Sequence, residues 1–251
     1  TQFTCSKPFP GNSIFLVCFH LLCLLYFVPT YFAFVAKTIV TTDLIDTIAN
    51  ANKVKAYNTL TGFKHIGAII KKLEGQEQFI GGGEESYGYL SGDFVRDKDA
   101  VMSCALIAEM VAWAKSSGKT LFNLMEEMYM EHGFYLEDLI SITKQGRSGQ
   151  EEITEKMRDL RKNPPKTIAD EEVLRVIDYL EMQQTGLPKS NVLQFITNKG
   201  TKVTARPSGT EPKIKYYFSV QEHLSSKSEY LTIKEKLTKK IAKIQSEMNL
   251  P

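Results

Sequence analysis

The 251-residue sequence lacks most of the features that would assign it to a class at once. Four cysteines are too few for a disulfide framework in a chain of this length, and none forms a CxxC pair. Charge of one sign is absent: 31 Lys+Arg against 29 Asp+Glu leave a net charge of +2. Without a basic stripe, a nucleic-acid partner is not expected. His20, His65, His132 and His223 are scattered with no HExxH spacing, so no metal site is read. Neither GxGxxG nor GxxxxGK[ST] occurs, which disfavours nucleotide binding.

The charge that is present is unevenly spread. Lys7 is the only charged residue in 1–36, and Ile14 to Ala36 is an uncharged, Phe- and Leu-rich run. Roughly 20 apolar residues suffice to span a bilayer as a helix. Pro29 would kink such a helix, and Lys7 and Lys37 give little positive-inside signal. A membrane or signal segment, a buried helix, and a segment foreign to the domain behind it all remain open for 1–36.

From Lys37 onward the pattern indicates an α/β domain over 37–145 with a mostly parallel sheet. Lys37–Thr41 reads as a buried strand, and Thr42 or Asp43 can cap a helix carrying Leu44, Ile45 and Ile48. Val54–Tyr57 is a second strand. Thr61-Gly62 opens a helix with Ile66, Ile69, Ile70 and Leu73 on one face. Gln78–Ile80 is a third strand, running into Gly81-Gly82-Gly83. Ala100–Lys115 is apolar on most sides and should be well buried, with Cys104 inert inside it. Thr120–Glu131 carries Leu121, Leu124, Met125 and Met128 at helical spacing, as core.

A charged linker or helix over 146–166 ends at Asn163-Pro164-Pro165 and suggests a domain boundary. Beyond it, 167–251 reads as a smaller α+β domain with an antiparallel sheet. Strands are expected at 173–180, 192–197, 202–206 and 213–220, with a turn at Asn198-Lys199-Gly200. Ile233, Leu237, Ile241, Ile244 and Met248 mark a closing amphipathic helix.

Two loops carry the chemistry. In Gly81-Gly-Gly-Glu-Glu-Ser-Tyr-Gly88 the glycines let backbone approach a ligand, and Glu84, Glu85 and Ser86 offer acceptors and a donor for hydroxyl groups. Such a set suits a sugar, although a merely tight loop fits equally well. Neighbouring residues of an extended segment point to opposite sides, which argues against a Glu84–Glu85 acid/base dyad. In Arg206-Pro-Ser-Gly-Thr-Glu-Pro-Lys213, Arg206 can grip a phosphate bidentately while Ser208, Thr210 and the Gly209 amide donate to it. Arg96-Asp-Lys-Asp99 is either a charged ligand edge or a helix start capped by Asp97 or Asp99.

The strings KTIVTT (37–42), TLTGFKHIG (59–67), GGGEESYGYLSGDFVRDKDAV (81–101) and RPSGTEPKIKYYFSV (206–220) together resemble the phosphoglucomutase/phosphomannomutase (α-D-phosphohexomutase) family. The bacterial phosphoglucomutase-like branch is the nearer likeness, over about 37–222. The resemblance implies the third and fourth of four domains around one cleft. It implies sugar binding by Glu84, Glu85, Ser86 and Lys64, and phosphate binding by Arg206, Ser208, Gly209, Thr210 and Lys213. Arg96 and Lys98 would lie at the cleft edge.

The resemblance also implies transfer of phosphate between C1 and C6 of a hexose phosphate in the cytoplasm. The full-length enzyme would use Mg and a hexose 1,6-bisphosphate activator. No TASHNP-like phosphoserine loop and no DGDGDR-like magnesium loop occurs in this sequence, so no catalytic residue and no bound cofactor is assigned to it. The chain is therefore expected to be inactive alone, needing the missing N-terminal domains in cis or in trans. A non-catalytic sugar-phosphate module, a complementing half of a split enzyme, and a membrane-anchored interaction protein using 14–36 are the alternatives.

Overall fold

The computed structural model describes residues 32–250. The chain divides into two compact units, the first ending at Gly133 and the second starting at Phe134.

In the first unit, β1 (Ala33–Thr38), β2 (Lys55–Thr59), β3 (Gln78–Gly83) and β4 (Tyr89–Ser91) form a sheet in the order β2-β1-β3-β4. β1 is parallel to β2 and β3, and β4 is antiparallel to β3. The helices are α1 (Leu44–Ala51), α2 (Phe63–Leu73), α3 (Ala100–Ser116) and α4 (Leu121–His132). Every residue of β1 is buried, as a central parallel strand requires. Its even-numbered side chains, Phe34 and Ala36, pack with Phe63, Ile66 and Ile70 of α2 and with Phe79 and Leu90. The Phe34 and Phe79 ring centroids are 5.3 Å apart.

The strand expected from Lys37 thus begins at Ala33, so the end of the apolar run is the heart of the sheet. Burial on both faces explains this, because a central strand needs an uncharged sequence. The rest of the proposed 14–36 span lies outside the described residues. Among the described residues no helix is long and apolar enough to cross a membrane.

α4 starts with a capping box between Thr120 and Asn123 and buries Leu124, Met125 and Met128, as its spacing predicts. α3 departs from expectation. Met110 and Ala114 are buried, but Val101, Cys104, Ala105, Ala108, Val111 and Ala112 are exposed. Leu106, Ile107, Met110 and Ala114 recur at helical spacing on its inner side, and they satisfy what the unit needs from this helix.

β1 also carries a charge into the interior. The Lys37 side chain is 1% exposed, with Nζ 2.9 Å from Asp46 and 3.1 Å from Asp43. Burial disfavours the ammonium, but the two carboxylates outweigh it and raise the lysine pKa. Asp43 is therefore spent on Lys37, and the Thr42 hydroxyl accepts from the Leu44 amide at 3.3 Å.

The second unit is a six-stranded sheet in the order β5-β10-β9-β8-β7-β6. The strands are β5 (Phe134–Thr143), β6 (Thr167–Ile168), β7 (Glu171–Asp178), β8 (Leu193–Thr197), β9 (Lys202–Pro207) and β10 (Lys213–Glu222). All pairings are antiparallel. The helices are α5 (Gly146–Lys162), the short α6 (Met182–Thr185) and α7 (Tyr230–Glu247). α7 buries Tyr230, Leu237, Ile241 and Ile244, and Tyr230 stacks on Phe134 at 5.0 Å.

β5 was not legible as a strand, yet it pairs with β10 from Phe134 to Thr143. This long ladder moves the division between units to Gly133, and it makes α5 an element of the second unit rather than a linker. Glu171 is buried in this unit, with carboxylate oxygens 2.6 Å from Lys240 Nζ and 2.7 Å from the Thr197 hydroxyl. Burial pushes its pKa up, but the Lys240 ammonium and hydroxyl donors prevail and lower it.

Two stability predictions follow from these charges. Replacing Asp43 and Asp46 together by Asn strands the Lys37 ammonium and should cost about 3–5 kcal/mol in urea denaturation. In the second unit, Glu171 contributes stability that is present above its unfolded pKa and is lost as pH falls through its depressed folded value. Lys240→Met should therefore flatten the acid limb of unfolding, read by amide exchange in β8 and β9.

Candidate functional site

The first candidate loop is the connection between β3 and β4. The Gly62 amide donates to Glu84 Oε1 at 2.9 Å, which places a carboxylate at the N-terminus of α2. Gly62 has φ +112, a conformation that favours glycine. The neighbouring carboxylate goes elsewhere: Glu85 Oε2 accepts from the Thr38 hydroxyl at 2.9 Å, at the end of β1. Glu84 and Glu85 thus diverge to separate anchors, and the loop is tied down at both. Each still has one carboxylate oxygen to offer.

Burial raises the Glu84 pKa, with Glu85 adding to the shift and the Gly62 amide and Lys98 opposing it. Gly88 closes the loop. A Cβ there would stand 2.8 Å from Lys98 Cδ and 3.2 Å from Glu84 Oε2, so a larger residue would push the Lys98 side chain aside. Ser86, just after the two anchored carboxylates, is exposed. Tyr87 follows at φ +67 and 66% exposed, a strained conformation for an aromatic residue. The sequence reading passed over Tyr87; an aromatic between Ser and Gly at a loop tip was its available signal.

Lys64, in the first turn of α2, is exposed and has no hydrogen-bond or ion-pair partner among the described residues. Lys98 lies against Gly88, with Nζ 5.7 Å from the Phe63 ring centroid and 3.2 Å from Asp97. Arg96 is placed differently. It pairs with Glu74 just beyond the C-terminus of α2, at 2.5 Å, and its carbonyl packs against Gly67. Asp99 caps α3 by accepting from the Met102 amide, while Asp97 engages Lys98. The 96–99 segment is therefore both a helix start and, through Lys98, a wall of the loop. Cys104, expected inside the fold, is exposed because it lies on the outer side of α3.

The second candidate loop joins β9 to β10. The Ser208 amide donates to the Lys213 carbonyl at 2.7 Å, and the Ser208 hydroxyl accepts from the Thr210 and Glu211 amides at 3.3 Å. Ser208 therefore organises the turn, leaving Gly209 exposed with open space around it. Thr210 is exposed within 3.4 Å of the Ser208 hydroxyl. Lys213 pairs with Glu211 at 3.2 Å.

Arg206 is half-buried and has no carboxylate partner among the described residues; its nearest polar contact is the Tyr217 hydroxyl at 3.5 Å. It lies directly across the ladder from Lys215. Like charges facing each other on one sheet face are unfavourable unless an anion joins them. Lys215 was absent from the sequence-based set, although the alternation Lys213-Ile214-Lys215 already put two cations on one face.

A β2-β1-β3-β4 sheet ending in a carboxylate loop, followed by an antiparallel unit with a cationic loop, defines a two-unit protein of mixed α/β and α+β class. Residues 10–132 match the family "Phosphoglucomutase/phosphomannomutase, alpha/beta/alpha domain III", which assigns this region to the phosphoglucomutase/phosphomannomutase family. It is 38% identical over 196 residues to the phosphoglucomutase of Staphylococcus haemolyticus, covering 74% of this chain and 36% of that one. The Staphylococcus aureus (strain USA300) phosphoglucomutase gives 38% over 195 residues, covering 74% and 35%. The chain thus spans about a third of the length of the curated relatives it matches.

Among solved structures it is similar to the open form of parafusin, a phosphoglucomutase from Paramecium. That comparison has a TM-score of 0.64 at 20% identity, covering 94% of this chain and 42% of the other. A phosphomannomutase-like protein from Thermus thermophilus gives a TM-score of 0.55 at 18% identity, covering 82% and 37%. These likenesses concern the fold. Enzymes of this family use magnesium; among the described residues no group of three or more His, Cys, Asp and Glu could hold a metal ion. The described residues do not fit the ion.

The raised pKa of Glu84 carries a stability signature. A carboxylate with a raised folded pKa loses stability as pH rises from its ordinary value, 4.5, through the raised one. Glu84→Gln keeps an acceptor for Gly62 without the buried charge. It should leave thermal stability at pH 7 equal or higher, a midpoint that calorimetry reads directly.

Proposed function

We propose that this chain is the substrate-reading C-terminal portion of a phosphohexomutase acting on a hexose phosphate in the cytoplasm. The observation that carries the reading is the unpaired Arg206, facing Lys215 beside a turn organised by Ser208. Two uncompensated cations and the free Gly209 amide suit a dianionic phosphate. In the first unit the second oxygens of Glu84 and Glu85 would accept from sugar hydroxyls, and Ser86 would donate. Lys64 would supply a positive charge to the phosphorylated sugar.

Anchoring by Gly62 and Thr38 means that the carboxylates need little further ordering when a sugar arrives, which favours binding. The reaction of the whole enzyme would move phosphate between C1 and C6 of the hexose. This chain's residues would hold and orient the sugar phosphate, while the phosphoryl donor would come from N-terminal domains outside the sequence. On this reading the chain has no mutase activity alone, and its site residues act in binding and orientation.

Calorimetric titration of glucose 1-phosphate into the full chain tests this. Binding should be weak, around millimolar or about −4 kcal/mol. Losing a charge-assisted contact removes about 1.5–3 kcal/mol, so Arg206→Ala should abolish the signal. Lys215→Met should weaken it. Equal heats from wild type and Arg206→Ala would overturn the phosphate assignment.

A further inference from the structure

The loop between β3 and β4 carries an aromatic ring at its tip at two costs. Tyr87 has φ +67, a conformation that side chains rarely adopt and that glycine takes freely. It is also 66% exposed, and among the described residues it has no hydrogen-bond or ring partner. A glycine would avoid both costs, and the same loop uses glycine at 81, 82, 83 and 88.

The base of the loop holds Tyr87 in this conformation. The Glu84 amide donates to the Gly88 carbonyl at 2.9 Å, which closes residues 84–88 on themselves. Gly62 and Thr38 pin the two carboxylates, and Lys98 packs against Gly88. Within the closed loop only Ser86 and Tyr87 are exposed, so the fixed base presents these two side chains outward. Strain over-determined by its surroundings in this way is a feature of ligand clamps.

On the sugar reading of this loop, we propose that the Tyr87 ring is a platform for one C–H face of the hexose, which makes Tyr87 a further substrate-binding residue. A pyranose is amphipathic: its hydroxyls lie around the rim, and its axial C–H groups make an apolar patch on each face. Glu84, Glu85 and Ser86 can satisfy the rim but offer nothing to a face. Tyr87 is the one apolar side chain in Gly81–Gly88. The negative face of its ring attracts C–H hydrogens, and the contact removes apolar area from water on both sides. Tyrosine has only two side-chain torsions to fix, so little ordering opposes the contact. Because Glu84, Glu85 and Gly88 are anchored, ring and carboxylates keep a set spacing and engage rim and face together.

Saturation-transfer difference NMR with the full chain and glucose 1-phosphate tests this, since it suits weak binding and reports which ligand protons lie against the protein. Transfer should favour the protons of one face, those on C2 and C4 or those on C3 and C5. Tyr87→Gly removes the ring and relieves the backbone. It should melt no lower than the wild type, while transfer to those protons falls about threefold or more. Tyr87→Phe keeps a ring and should keep the transfer. Glu85→Ala removes a rim acceptor and tests the sugar reading separately.

Transfer that falls in Glu85→Ala but not in Tyr87→Gly would overturn the platform and leave the sugar reading standing. Transfer absent from the wild type, or unchanged in both variants, would overturn both. A Tyr87→Phe variant as weak as Tyr87→Gly would assign the contact to the hydroxyl and overturn the platform too.

Discussion

The α/β unit depends on how the C-terminal end of β1 distributes its side chains. The pleat sends Lys37 to one face and Thr38 to the other. Lys37 is neutralised by Asp43 and Asp46, which fixes the start of α1 against the strand. Thr38 reaches Glu85 and ties down the β3–β4 loop. The same two residues therefore join the buried sheet to the presented loop, and a one-residue slip in register would exchange their roles. The chain buries a charge here although a hydrophobic residue would be cheaper to bury, and the compensation is two nearby carboxylates.

The two loops are prepared in different ways. The carboxylates of the first are held by donors from α2 and β1, so the loop is shaped before any ligand arrives. Its strain is concentrated at Tyr87, where φ is positive and the ring is exposed. The second loop is shaped by the Ser208 hydroxyl, while its cations remain uncompensated across the β9–β10 ladder. One loop thus presents acceptors and the other presents positive charge. The chain spans about a third of the length of its curated relatives.

Legibility in the sequence followed the strength of the local signal. The α2 and α4 faces, the hairpin from β8 to β9 and the closing α7 could be read because apolar spacing and turn chemistry agree there. β5 could not, since Glu137, Asp138 and exposed Leu139 interrupt its alternation, and only its ten-residue partner β10 makes it a strand. α3 was misread as buried because composition reports hydrophobicity and not which surface is available to cover it. Arg96 and Lys98 were read as one edge, but Glu74 takes the first and Gly88 receives the second.

The family likeness, the class of each unit and the two loops that carry polar chemistry are legible in residue order alone. Those features are local strings whose residue types suffice to define them. Tertiary structure decided which carboxylate anchors where, that Lys37 is buried, that Lys215 faces Arg206, and where one unit ends. Each depends on strand order and register, which bring together residues distant along the chain.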